Sequence, residues 1–200
     1  MPACRRLRPN DLPHSTVDLA KALLGLVLVH DENGTRVTGK IVETEAYVLK
    51  DPASHAFHGP SARNASMFLT PFHAYIYKIY GTSFCFNVTS EPASAGAAVL
   101  VRALEPLEGI EVMVRRRRTR SLRDLCRGPG RLCEALNIDR RLDGIDLIAS
   151  RELWLGDAGL AVVKIRKSKR IGITKAPDRH LRFYESGNPF VSGPRRITPP

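Results

Sequence analysis

The sequence predicts a single domain of mixed helix and strand (α+β) over residues 1–200, with frayed tails at about 1–8 and 193–200. Three observations predict it. The chain has 200 residues, 43% of them hydrophobic, which suits one domain with a sizeable core and is too apolar for a disordered chain. Short β-rich runs recur along most of its length, several of them alternating. Between them lie a few short stretches of helical periodicity rather than long helices.

The elements follow in order. Ser15 with Asp18 three residues on has the form of a capping box, and Val17, Ala20 and Leu24 continue at helical spacing, predicting a helix over 16–25. Residues 26–30 are a buried-type strand, 31–34 a turn, and 35–37 pair back. Gly39 leads into a central strand, I-V-E-T-E-A-Y (41–47). Strict alternation puts Ile41, Glu43, Glu45 and Tyr47 on one face and Val42, Thr44, Ala46 and Val48 on the other. A long loop over 49–66 then carries Asp51, His55, His58, Arg63 and Asn64, and loops of that length are usually functional. Residues 73–89 read as a hairpin turning at Gly81-Thr82-Ser83. On its first strand Tyr75, Tyr77 and Ile79 share one face and Ile76, Lys78 and Tyr80 the other, with Tyr80 at the tip. Residues 97–103 form a strand containing Arg102, and 107–118 a helix ending in four arginines, Arg115 to Arg118. Gly128-Pro129-Gly130 opens another helix, whose free amides could take a phosphate. Strands at 153–155 and 161–165 follow, then a basic stripe of Lys164, Arg166, Lys167, Lys169 and Arg170.

Charge and cysteine usage narrow the function. A formal net charge of +11 and a pI of about 10.0 point to a polyanionic partner, most simply nucleic acid. No apolar run reaches membrane-spanning length, and the N-terminal residues lack the apolar stretch of a secretory signal. The four cysteines form no C-x-x-C pair, which fits a reduced setting: the cytoplasm, at the nucleoid, of a bacterium, or a eukaryotic nucleus.

Two carboxylates on a strand facing a loop with titratable groups make a candidate general base. Alternation does not choose between Glu43 and Glu45, and the plain alternative is an edge strand with solvated acids. His55-x-x-His58 with Glu45 or Asp51 raises a metal-dependent hydrolase, but the spacing matches no strong ligand motif, so no metal is expected. Tyr80 at a hairpin tip could wedge into a base stack, with Tyr47 and Tyr77 offering flat faces to one extruded base.

Several segments then carry a resemblance: G-K-I-V-E-T-E-A-Y (39–47), D-P-A-S-H (51–55), A-R-N-A-S-M-F (62–68), Y-I-Y-K-I-Y-G (75–81), C-F-N-V (85–88), V-L-V-R-A-L-E-P-L-E-G (99–109) and L-C-R-G-P-G-R-L-C-E-A-L (125–136). Together they resemble the alkyladenine (3-methyladenine) DNA glycosylase family from about residue 12 to 191. The resemblance implies a compact domain around a curved antiparallel sheet with flanking helices and a protruding β-hairpin. It implies a monomeric, monofunctional enzyme of base-excision repair, with no lyase step. Such an enzyme flips damaged purines (3-methyladenine, 7-methylguanine, hypoxanthine, ethenoadenine) from double-stranded DNA and hydrolyses the N-glycosidic bond without a cofactor. By the resemblance Glu45 is the carboxylate that activates water and Arg102 helps hold that water. Tyr47, His55 and Tyr77 sandwich the flipped base, and Asn87 screens exocyclic groups. Tyr80 fills the gap left in the duplex, and Ile171 and Gly172 are a weaker match to the backbone of the water site. Thr82-Ser83 and Phe72-His73 depart from the family's pattern, near the hairpin rather than the chemistry. The alternatives are a non-catalytic damaged-DNA-binding protein and, from G-P-G, a helix-hairpin-helix glycosylase with Asp139 as its carboxylate, which the many strands upstream disfavour.

Overall fold

A computed structural model describes residues 4–79 and 81–193. In chain order its strands are β1 (Arg5–Arg6), β2 (Val27–Glu32), β3 (Thr35–Tyr47), β4 (Ala74–Ile79), β5 (Ser83–Ser90), β6 (Ala97–Glu108), β7 (Leu153–Asp157), β8 (Ile165–Ser168) and β9 (Arg182–Glu185). The α-helices among the described residues are α1 (Thr16–Ala22), α2 (Ile110–Arg117) and α3 (Pro129–Leu136). All nine strands join one open, antiparallel sheet in the order β1-β7-β2-β3-β6-β5-β4, with β9 added beside β3 and β8 beside β9. The fold is α+β, as the sequence predicts.

The long strand β3 organises the sheet. Its first half turns back from β2 through Asn33-Gly34, both at positive φ, the geometry that an Asn-Gly hairpin turn supplies. Its second half is flanked by β9, and β6 runs along its other side. Gly39 lies inside this strand rather than ahead of it. A Cβ there would stand 2.9 Å from the Leu104 Cβ of β6, so glycine is what lets the two backbones approach.

Strict alternation fails on β3, and the failure is informative. The β3–β6 register shifts on both sides of Glu43, as a bulge does. Ile41 and Ala46 lie in the main core, whereas Val42 packs with Ala103, Tyr184 and Val191 on the opposite face. The expected grouping of Ile41 with Glu43 is therefore wrong: Val42, Glu43, Glu45 and Tyr47 share the face away from the main core. β6 answers in kind, with Val101 and Leu104 in the main core and Arg102 and Ala103 turned the other way.

The main core sits between this sheet and its helices, built from Leu19, Leu23, Ile76, Phe86, Val99, Met113, Leu132 and Leu136 among others. Several boundaries differ from expectation. Helix α1 stops at Ala22, and the Ser15 side chain does not cap it. Glu91 does so instead, accepting from the Thr16 amide and hydroxyl at 2.8 Å each. Leu107 belongs to β6 and packs on the Val27, Val29 and Trp154 cluster, so α2 begins only at Ile110. The strand expected at 161–165 begins at Ile165, and β9 carries no strong signal of its own.

Candidate active site

On the face opposite the main core, one row crosses four strands: Glu45 on β3 opposes Leu100 on β6, Leu100 opposes Asn87 on β5, and Asn87 opposes Tyr75 on β4. Above this row lies a cavity of about 410 Å³, within the size of small-ligand pockets. Tyr47, His55, Tyr77, Asn87, Arg102, Ile171 and Gly172 all line it. Tyr75, Cys85, Met67, Leu100 and Pro129 line it too. Of these Tyr75 had a signal in the sequence, since it shares a strand face with Tyr77. Tyr80 lies outside the described residues.

The rings are fixed before any ligand arrives. His55 Nδ1 is hydrogen-bonded to the Tyr75 hydroxyl at 2.8 Å, and its ring meets that of Tyr77 edge-on at 4.4 Å between centroids. Burial, with the nearby Arg63 charge, lowers the His55 pKa and favours the neutral ring. The His55 loop is held by Asn64, which donates to the carbonyls of His55 and Gly59. Asn87 donates to the Tyr75 carbonyl at 2.9 Å.

Glu45 is fully buried, one layer behind the lining. Three residues that line the cavity hold its carboxylate. The Ile171 amide donates to Oε1 at 2.8 Å, the Tyr47 hydroxyl donates to Oε2 at 3.1 Å, and Arg102 Nη1 lies 3.3 Å from Oε1. Burial raises its pKa above the ordinary glutamate value, against the lowering pull of Arg102 and the Ile171 amide. Glu43, two residues back, is equally buried but has the opposite balance. Burial raises it as well, yet Arg102, Arg182 and the Ser192 amide outweigh that and hold it below the ordinary value.

A second buried pair ties two walls together. Arg170 and Asp51 have no exposed side-chain surface and meet through two hydrogen bonds, one of 3.1 Å from Nη2. Arg170 also donates to the Ala46 carbonyl and stacks over the Tyr47 ring at 4.6 Å. Asp51 is thereby committed to Arg170, while His58 is exposed against Phe57. Among the described residues no three His, Cys, Asp or Glu side chains converge as metal ligands would.

A model of the methylpurine-DNA glycosylase family matches residues 10–189. The chain belongs to that family. It is 52% identical over 188 residues to a Mesorhizobium japonicum protein bearing the provisional name 3-methyladenine DNA glycosylase, covering 94% of this chain and 90% of that one. Proteins of the same provisional name in Paraburkholderia phytofirmans and Nitrosospira multiformis are each 46% identical, over 188 and 186 residues, covering 94% and 93% of this chain and 88% and 93% of theirs. As a methylpurine-DNA glycosylase the chain is a DNA-repair hydrolase of N-glycosyl bonds, with DNA as its substrate. The arginine run of this glycosylase divides into two groups. Arg116 pairs with Glu32 and donates to the Ala135 carbonyl, and Arg117 pairs with Glu134 and donates to the Leu125 carbonyl. Arg115, Arg118 and Arg120 remain exposed.

Proposed function

We propose that this chain is a monomeric, monofunctional glycosylase that flips damaged purines out of duplex DNA and hydrolyses their N-glycosidic bond with water activated by Glu45. The substrates are the 3-methyladenine, 7-methylguanine, hypoxanthine and ethenoadenine class, met on the chromosome in a reducing compartment. The observation that carries this reading is the divergence of two glutamates on one strand. Titratable neighbours whose surroundings push their pKa values apart mark acid–base roles. Glu43 is locked as an anion; Glu45, bound to three cavity-lining residues and held above its ordinary range, is the one able to exchange a proton.

In this mechanism an extruded base enters the cavity among the Tyr47, His55 and Tyr77 rings. Stacking returns roughly 1–3 kcal/mol per base against an extrusion cost of a few kcal/mol. Asn87 meets the exocyclic groups. Tyr80, from its sequence match, fills the vacated stack. Water attacks C1′ as the C1′–N bond breaks; its proton passes to Glu45, and the bonding electrons leave with the base. A cationic alkylpurine departs neutral and needs no acid; hypoxanthine and ethenoadenine are neutral when bound and depart only once a proton has been added to the base. Glu45 also stabilises the oxocarbenium-like state electrostatically, and Arg102 holds carboxylate and water in register. No lysine is among the described residues lining the cavity, so no covalent sugar intermediate and no strand cleavage are expected.

The test is base release from duplexes carrying one lesion each, read by mass spectrometry, with strand integrity read on a gel. Free damaged base and an abasic strand that breaks only in alkali are expected. Tight binding of damaged duplex with no base released would leave a non-catalytic binding protein.

A further inference from the structure

Glu43 takes no part in the reaction above, yet it is the most heavily bonded carboxylate near it. Its Oε1 accepts from Arg102 Nε at 3.1 Å, Arg182 Nε at 2.6 Å and Ser192 Oγ at 3.0 Å, and its Oε2 accepts from the Ser192 amide at 2.6 Å. Arg102 therefore bridges two carboxylates, Nε on Glu43 and Nη1 on Glu45. Arg182 stands directly across from Glu45 in the β3–β9 register and is itself fully buried.

We propose that Glu43 and Arg182 are positioning residues for the glycosylase reaction: between them they divide the Arg102 guanidinium between two carboxylates and so set how firmly Glu45 holds its proton. The inference rests on Glu45 being the base. The physical reason is competition for one cation. At such separations inside a protein a charge acts strongly on its neighbours, so attraction that Arg102 gives to Glu43 is withheld from Glu45. Other groups face Glu45 as well. They are Tyr47 on its own strand, the Cys85 thiol on β5, the Ile171 amide, and the Arg170–Asp51 pair beneath Tyr47. Glu43's hydrogen-bond partners among the described residues are instead Arg102, Arg182 and Ser192.

Opposite consequences follow for the two residues. Glu43→Gln keeps the shape and removes one claimant, so Arg102 acts on Glu45 undivided. Glu45 then loses its proton more readily and is a weaker base. Arg182→Gln removes a cation across from Glu45 and leaves Glu43 drawing harder on Arg102, so Glu45 holds its proton more firmly.

The test is the pH profile of single-turnover base release from a duplex with one 7-methylguanine, whose cationic base needs no acid. Rates are expressed per folded molecule after the melting temperature of each variant is measured. The acid limb should move down by about one pH unit in Glu43→Gln and up by a similar amount in Arg182→Gln, and Arg182→Lys should restore the parent limb. Merely weakened folding would scale the rate without moving the limb, and cannot move it both ways. Limbs that stay put, or shift in the same direction, overturn the proposal; so does a lysine variant that behaves like the glutamine. Should Glu43→Gln not fold, the Arg182 pair decides alone. An acid limb surviving in Glu45→Gln would instead remove Glu45 as the base.

Discussion

Glu43 and Glu45 are chemically identical, adjacent on one face, and both fully buried, yet their pKa values move in opposite directions: burial prevails at Glu45, while Arg102, Arg182 and the Ser192 amide outweigh it at Glu43. Those partners come from far along the chain. Arg182 and Ser192 are separated from Glu43 by 139 and 149 residues, and Ile171 from Glu45 by 126. The sequence could therefore display two candidate carboxylates without distinguishing them; only resemblance chose Glu45. The pH dependence follows with a definite sign. As the proposed base Glu45 would act only when deprotonated, and its pKa is raised, so activity should fall on an acid limb lying above the ordinary glutamate pKa. That limb should vanish from the residual rate of Glu45→Gln. For stability the two differ. Glu43, with a lowered pKa, contributes stability above the unfolded glutamate pKa that is lost as the pH falls through its folded value. Glu45, with a raised one, contributes stability that is present below the unfolded glutamate pKa and lost as the pH rises through its folded value. Acid titration of the melting temperature in Glu43→Gln should lose the first of these dependences.

At the scale of elements, the site is assembled by devices that period-2 reasoning cannot see. The bulge at Glu43 turns Val42 and Glu43 to the same face, and the matching irregularity on β6 delivers Arg102 beside them. The Tyr75–Tyr77–Ile79 face was legible because β4 is regular and pairs residue for residue with β5. The cap of α1 was not, because Glu91, 75 residues on, replaces the local serine. β9 was not, because four residues beside β3 carry too short a pattern. The loops were visible as long and titratable, but their fastening was hidden until Asp51 met Arg170. Breaking that buried pair should be costly. Asp51→Asn leaves a buried guanidinium half-paired and should lower stability by about 3–5 kcal/mol, read from denaturant unfolding. The double replacement Asp51→Leu with Arg170→Met should recover much of that loss, while base release stays impaired because Tyr47 and the Ile171 amide lose their support.

For the whole molecule, one large antiparallel sheet turns one face to the main core and the other to the candidate active site, and the net charge of +11 suits a DNA substrate. Fold class and basic character were legible because they rest on composition and pattern, and Tyr47, His55, Tyr77 and Asn87 were placed in the pocket by resemblance over long, ordered segments, whereas Met67, Cys85, Leu100 and Pro129, which also line it, were not. The division of labour among the arginines was not, since a run of four looks uniform until its ion pairs are seen. Arg115→Gln with Arg118→Gln should lower the slope of log affinity against log salt by about 0.9 per lost phosphate contact, measured by binding at several salt concentrations. Arg116→Gln with Arg117→Gln should leave that slope unchanged and lower the melting temperature, because those side chains are already engaged within the protein. The proposed reaction depends on Glu45. Its most direct test is single-turnover excision of one 7-methylguanine by Glu45→Gln, with binding to the same duplex measured in parallel. The expected result is a rate lower by about 10²–10⁴-fold with binding retained; excision at near the parent rate would contradict it.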